Sequence, residues 1–313
     1  MGFLQKALRF PGRPGNRPLV QLAATQRTNP LVSRIAADPL NPLLHLENAR
    51  FAFASGNASL AYAELKTAQH LGLDPQQFRE LAADYTAALP GTATMGHNTY
   101  FRLRSLADEL LQRSGGAEFS LLDVGGGSGA LAAFLPEASY CLAEPLANGI
   151  SGTNLPFADR SFDFVVSCHV LEHVPPDDRE LFLDQLLAKA AVGLILLNPF
   201  EVANTLASER LQLVIDVTGA DWAREHLHCS LPRIADLEAY AAARGLRIDI
   251  RPNGTMTTSL AFVFMQHFAA LAGSKKELQQ VESFFNENYQ QILDSDAYPN
   301  AYLVFIEAAV ASR

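Results

Sequence analysis

The chain has 313 residues, a formal net charge of -9, and 49% hydrophobic against 18% charged residues. That length holds two domains, or one enlarged domain with an appendage, and the composition excludes a disordered or collagen-like chain. The acidic balance excludes a protein whose main partner is nucleic acid, because phosphate binding favours a basic surface.

From the N-terminus, residues 1–40 read as a basic arm. The first 37 carry Lys6, Arg9, Arg13, Arg17, Arg27 and Arg34 without an acid, and Pro and Gly punctuate Pro11 to Pro18. Such an arm suits an acidic partner or an anionic membrane, although a solvated tail is the plainer reading. MGFLQKALRFPGRPG lacks the apolar stretch of a signal peptide, and no run of about 18 apolar residues follows anywhere. Cys141, Cys168 and Cys229 are too few and too dispersed for a disulfide framework, so a reducing, cytoplasmic location is expected.

Residues 41–92 hold three helical patterns, PLLHLENARFAFASG, ASLAYAELKTAQHLG and DPQQFRELAADYTAAL, each bounded by Gly, Asn or Asp-Pro. The first two, with Ala49, Phe53, Gly56, Asn57, Ala61, Leu65, Ala68 and Asp74-Pro75, resemble a single tetratricopeptide-type unit. A solenoid needs several units to bury a continuous core. A cap docked on the next domain is therefore expected, ahead of an independent peptide-binding module.

After Leu89-Pro90-Gly91-Thr92 the pattern changes, and residues 93–313 alternate short strands with helices. Strands are expected at Ser120–Val124, Ser139–Glu144, Phe162–Cys168, Val192–Leu197, Leu246–Arg251 and Ala301–Glu307. Helices are expected at Asp178–Ala190 and Leu231–Arg244. The apolar runs FVVS and VGLILL imply a parallel sheet covered on both faces. An insertion at 254–300 contains an apolar helix, Leu260 to Ala272, and an amphipathic one, Lys275 to Leu293. Core packing is its plain reading; a lid, a dimer surface or an acyl-chain contact are the alternatives. Residues 254–274 are uncharged. They join residues 1–37 as segments that could meet a membrane, which is not the favoured reading.

The sharpest feature is LLDVGGGSGALAAFLP, residues 121–136, where a strand runs into a glycine-rich turn and then a helix. Gly125, Gly126, Gly127 and Gly129 allow a tight turn whose backbone approaches a ligand. Asp123 precedes the turn, and Glu144 closes the next strand 21 residues on, where a carboxylate can accept both hydroxyls of a ribose.

With its second block, LPFADRSFDFVVSCHVLEHVPPDDRELF at 155–182, the chain resembles the class I S-adenosylmethionine-dependent methyltransferases over residues 97–313. Pro199-Phe200, and Glu225-His226-Leu227 followed by Leu231-Pro232, bring it nearest the type 11-like members. The resemblance implies a Rossmann-like α/β core, mostly parallel with an antiparallel last strand, and S-adenosylmethionine as cofactor. It places Asp123 and the glycines at the cofactor's amino-acid end and Glu144 on the ribose. Ser151, Asn154 and Leu155 fall on the adenine side, and Cys168 beside the donor. For a hydroxyl acceptor, His169 or His173 would remove the proton. Glu172 reads as structural, and Asn198 as either an acceptor contact or a turn residue.

Two departures stand out. Leu155 follows Glu144 by only 11 positions, too few for the usual helix and third strand, and Ser151 replaces the acid that normally precedes LPF. Glu225, His226, His228 and Cys229 have ligand chemistry, but no second ligand pair at a recognised spacing accompanies them, so no metal is expected. The expected reaction is O-methylation of a small-molecule or saccharide- or lipid-linked acceptor, with a homo-oligomer allowed. The alternatives are a protein methyltransferase recruited by the helical cap and a degenerate, non-catalytic binding module.

Overall fold

The computed structural model describes residues 29–201, 207–288 and 299–309. Residues 1–28, most of the basic arm, lie outside that range, as does the end of the insertion at 289–298. Helices α1 (Leu31–Ala37), α2 (Pro42–Ala54), α3 (Ala58–His70), α4 (Pro75–Ala87) and α5 (His97–Ser114) lead into the sheet. Their ends are set by local chemistry. Asn41 caps α2 by accepting from Leu43 N, with Pro42 at the first position, and Asp74 accepts from Gln76 N and Gln77 N ahead of Pro75. Gly115, at φ +62°, ends α5.

The strands are β1 (Ser120–Val124), β2 (Ser139–Ala143), β3 (Phe162–Cys168), β4 (Ala190–Asn198), β5 (Ile248–Thr255) and β6 (Pro299–Glu307). They form one sheet in the order β2-β1-β3-β4-β6-β5, with β2, β1, β3 and β4 parallel and β6 antiparallel to both its neighbours. This is the mostly parallel α/β sheet with an antiparallel final strand. Alternate residues bury on opposite faces, as the strand period requires. Leu121, Tyr140, Leu142, Phe164, Ile195 and Phe305 pack under α3 and α5. Leu122, Cys141, Val165, Leu194 and Val304 pack under α1, α6 (Arg179–Lys189) and α9 (Ile234–Ala243).

A third, smaller cluster joins α7 (Ala207–Thr218) and α8 (Asp221–Cys229) through Leu211, Val214 and Ala223. Helix α10 (Met256–Ala272) packs on it through Leu260, Val263 and Phe264, and α11 (Lys275–Glu287) follows. Among the described residues no helix is long and apolar enough to cross a membrane.

Three local differences from the sequence reading have physical causes. The segment after the glycine turn is a five-residue 3-10 helix, Ala130–Phe134, and not an α-helix, because Leu135-Pro136 stops it within two turns. Residues 31–37, read as part of the arm, are helical; Leu31 and Ile35 bury against the sheet, and Ala36 packs on Gly149. Strand β5 runs to Thr255 and α10 starts at Met256, since Thr255 caps the helix by accepting from Thr258 N.

The missing third strand leaves β2 at the sheet edge, and α3 covers it. Thr67 Oγ1 accepts from Leu142 N at 2.9 Å, while Asn148 Nδ2 donates to Leu142 O at 2.8 Å. Lys66 Nζ, nearly buried, donates to Leu135 O at 3.1 Å and Pro136 O at 2.6 Å. These contacts blunt an edge that would otherwise present unpaired backbone groups. Helices α2 and α3 thus share one hydrophobic core with β1 and β2. Thr67→Val keeps the shape but orphans the Leu142 amide, so urea unfolding should show a loss of about 1–2 kcal/mol. Unchanged stability would mean that the side chain does not cap this edge.

Candidate active site

The C-terminal ends of the four parallel strands bring the chemistry-bearing residues to one rim, where open α/β sheets place ligands. Asp123 on β1 is buried, and its Oδ2 accepts from Tyr140 Oη at 2.7 Å. The glycine turn folds back over this carboxylate: a Cβ on Gly126 would lie 2.3 Å from Asp123 Oδ2. Gly125, Gly127 and Gly129 have φ of +77°, +59° and +68°, values that only glycine adopts freely. Gly129 also lies against α3, where a Cβ would come 2.2 Å from Ala63 Cβ.

Glu144, at the end of β2, is 4% exposed. Its Oε2 accepts from Gly127 N at 3.0 Å and its Oε1 from Leu146 N at 3.2 Å. Burial raises its pKa, with the two amides working in the opposite direction. Asn148 holds Glu144 from behind, accepting from Glu144 N at 3.0 Å and donating to Glu64 Oε1 on α3 at 2.8 Å.

Burial also pushes Asp123 up to about 7; the Tyr140 hydrogen bond opposes this and the nearby Glu144 charge adds to it. A carboxyl raised in the folded state stabilises the protein below its unfolded pKa, and that contribution is lost as pH rises through the folded value. The cofactor-free protein should therefore lose stability between about pH 4 and pH 7 relative to Asp123→Asn. At pH 8 the variant should be the more stable by on the order of 4 kcal/mol. Denaturant titrations of both proteins across this range test the point, and parallel stability profiles would contradict it.

The remaining residues expected on the adenine side are placed differently from one another. Ser151 and Asn154 close a tight turn, with Asn154 N donating to Ser151 O at 3.0 Å and Ser151 Oγ lying 2.9 Å from Thr153 Oγ1. Gly152 seats that turn on Val124 and Phe182. Asn154 is exposed, whereas Leu155 is buried in the core. Cys168 ends β3 on the face under α5, and burial pushes its thiol up to about 12.

Beyond Cys168, His169 has φ +56°, an uncommon backbone conformation for a residue other than glycine, held by His169 N donating to Leu197 O at 2.9 Å. Its Nδ1 lies 3.1 Å from Glu172 Oε1, and its Nε2 is enclosed without a hydrogen-bond partner. Burial lowers its pKa, and the Arg102 guanidinium from α5 lowers it further, against the opposing pull of Glu172.

Glu172, read from sequence as structural, is the hub of this region. It is fully buried in the 3-10 helix Leu171–His173, and its Oε2 accepts from Asn198 Nδ2 at 2.5 Å. Burial opposes its charge, yet His169, His226 and His173 outweigh that and hold it at about 2. His173 and His226 face each other with Nε2 atoms 3.2 Å apart, and His173 Nδ1 lies 3.4 Å from Glu225 Oε2. Burial lowers His226 to about 4. The structure therefore gathers His169, His173, Asn198, Glu225 and His226 around Glu172, while His228 and Cys229 take no part in that cluster of ligand atoms. Arg102 had no signal in the sequence; only the packing of α5 brings it near His169.

The rim fits a nucleotide-like cofactor. The space that a Cβ on Gly127 would enter is open to 4 Å, and the Glu144 carboxylate reaches the amide of that same residue.

Residues 95–249 match a family model described as a methyltransferase domain. Over those residues the chain is similar to methyltransferase domains. No curated protein matches it. Among solved structures it is similar to the YcgJ protein of Bacillus subtilis, at 14% identity over 66% of this chain and 100% of that one, with a TM-score of 0.39. It is similar also to phosphoethanolamine N-methyltransferase 2 of Haemonchus contortus bound to S-adenosyl-L-methionine, at 15% identity and TM-score 0.41. That match covers 65% of this chain but spans only 52% of that protein. The plantazolicin methyltransferase BpumL, with a desmethyl analogue and SAH, matches at 13% identity over 85% of this chain and 100% of its own, with a TM-score of 0.44.

Proposed function

We propose that this methyltransferase domain transfers a methyl group to a hydroxyl of a small-molecule or saccharide- or lipid-linked acceptor. The observation that carries the reading is the pairing of His169 and Glu172 at the sheet rim, next to the glycine turn. When bound, S-adenosylmethionine supplies an electrophilic methyl group on a sulfonium. Glu144 would accept the ribose hydroxyls, and Asp123 with the backbone of Gly125 to Gly129 would hold the amino-acid end. Ser151 and Asn154 are the polar groups offered to the adenine.

In this reading His169 is the base. Its free Nε2 can accept the hydroxyl proton, while Glu172, 3.1 Å from Nδ1, fixes the ring and favours the proton on Nδ1. Asn198 locks Glu172 in turn through the 2.5 Å hydrogen bond. Base and orienting carboxylate rest on the end of β3 and the 3-10 helix that follows it, which keeps their geometry fixed.

Incubation with methyl-labelled S-adenosylmethionine and matched hydroxyl and amine acceptors tests this reading. Label should enter hydroxyl acceptors as an ether. His169→Gln should lower kcat by about 100- to 10,000-fold with cofactor affinity unchanged. Transfer by His169→Gln at the parent rate, or label found only on nitrogen, would overturn it.

A further inference from the structure

Behind His169, three side chains meet that lie on two separate segments, one after β3 and one in α8. Glu172, His173 and His226 each point one ligand atom inward, and these atoms lie within 4.8 Å of one another. His173 Nε2 and His226 Nε2 are 3.2 Å apart, and Glu172 Oε1 is 3.8 Å from His226 Nε2. We propose that Glu172, His173 and His226 form a binding site for a divalent cation of the zinc or manganese class.

The donor set suits it. Two imidazoles and one carboxylate bind zinc and related ions while leaving coordination positions open. With metal–ligand distances of about 2.0–2.1 Å, neighbouring ligand atoms stand roughly 3.0–3.5 Å apart, so the present spacing needs only small adjustment.

The surroundings are those of a built site. Glu225 Oε2 lies 3.4 Å from His173 Nδ1, where a carboxylate favours the tautomer that leaves the Nε2 lone pair pointing into the cluster. Asn198 donates to one oxygen of Glu172. The other oxygen, Oε1, belongs to a fully buried residue and faces His169 Nδ1 at 3.1 Å and His226 Nε2 at 3.8 Å, and Asn198 Oδ1 is buried without a partner. A proton shared between the two imidazoles would explain their contact but not the carboxylate oxygen turned toward them. A buried polar atom in this condition calls for a counterpart.

The role of the cation rests on the O-methylation reading. An acceptor hydroxyl oxygen at an open position would be acidified by the ion. Its proton would pass to His169 Nε2, an oxygen lone pair would form the bond to the methyl carbon, and the electrons of the broken carbon–sulfur bond would remain on sulfur. The substrate class is therefore an acceptor whose hydroxyl can ligate a hard or borderline cation.

The test uses the full chain, without a polyhistidine tag and stripped with chelator, titrated calorimetrically with zinc chloride and separately with manganese chloride. One ion per chain should bind, with a rise in Tm. Glu172→Gln and His226→Gln should each weaken binding by at least about 100-fold, and Glu225→Gln by about 10- to 100-fold. Far-UV circular dichroism and S-adenosylmethionine binding serve as controls of fold; if the two buried variants fail them, Glu225→Gln decides. Absence of stoichiometric binding, or parent affinity in every folded variant, would overturn the proposal. Cofactor binding without metal binding would sink this inference alone. Metal binding without cofactor binding would sink the methyl-transfer reading and leave the site standing.

Discussion

Gly126→Ala is expected to lower affinity for S-adenosylmethionine by at least about 100-fold, roughly 2.7 kcal/mol, in a chain that still folds. The added methyl would sit 2.3 Å from Asp123 Oδ2 and 2.6 Å from Asp123 Cγ, far inside van der Waals contact. Asp123 cannot retreat, because it is buried and held by Tyr140. The turn must lift instead, moving the backbone that is proposed to hold the cofactor. Gly127→Ala is the matched comparison: its backbone is left-handed, but its Cβ enters open space. It should cost about 1–2 kcal/mol of stability from conformational strain. Calorimetric titration of both variants makes the distinction, and parent affinity in Gly126→Ala would show that the turn does not carry the cofactor.

The second large effect lies away from the rim. Glu64 on α3 is fully buried; its Oε2 lies 2.7 Å from His45 Nδ1 and its Oε1 accepts from Asn148 Nδ2 at 2.8 Å. Burial alone would depress His45, but the hydrogen bond and charge of Glu64 hold its pKa above the ordinary value. Glu64→Ala removes one side of a buried pair, which typically costs about 3–5 kcal/mol. It also frees Asn148, which accepts from Glu144 N at 3.0 Å, so cofactor affinity should fall with stability. Glu64→Gln keeps hydrogen-bonding capacity and should lose less on both counts. Urea unfolding and cofactor titration of the three proteins read the two effects together. A Glu64→Ala protein as stable as the parent would contradict the role of α3 in holding this edge.

The glycine turn and the strands were legible because their signals are local: period-two burial, apolar runs and glycines at one strand end. The missing third strand was legible too, since the 11 positions from Glu144 to Leu155 cannot hold a helix and a strand. What fills its place was not. Thr67 on Leu142, Lys66 on Leu135 and Pro136, and Glu64 on Asn148 join positions about 70–85 residues apart through side chains that carry no pattern. The collapse of the first helix did have a signal, Pro136 only seven residues after Gly129.

At the rim, Asp123, Glu144 and His169 were readable from their places at strand ends. Glu172 was passed over as structural because its partners come from elsewhere: Asn198 from β4 and His226 from α8. The Glu225-His226 pair did stand out by composition. Its true neighbours, Glu172 and His173, lie more than 50 residues earlier, so spacing alone could not pair them.

The central claim is that the glycine turn and Glu144 hold S-adenosylmethionine. The most direct measurement is calorimetric titration of the parent, Asp123→Ala and Glu144→Ala with S-adenosylmethionine and its demethylated product. One site per chain in the parent, with loss of binding in both folded variants, is the predicted result. A folded parent that binds neither compound would contradict the account and mark the fold as one that has lost its donor site.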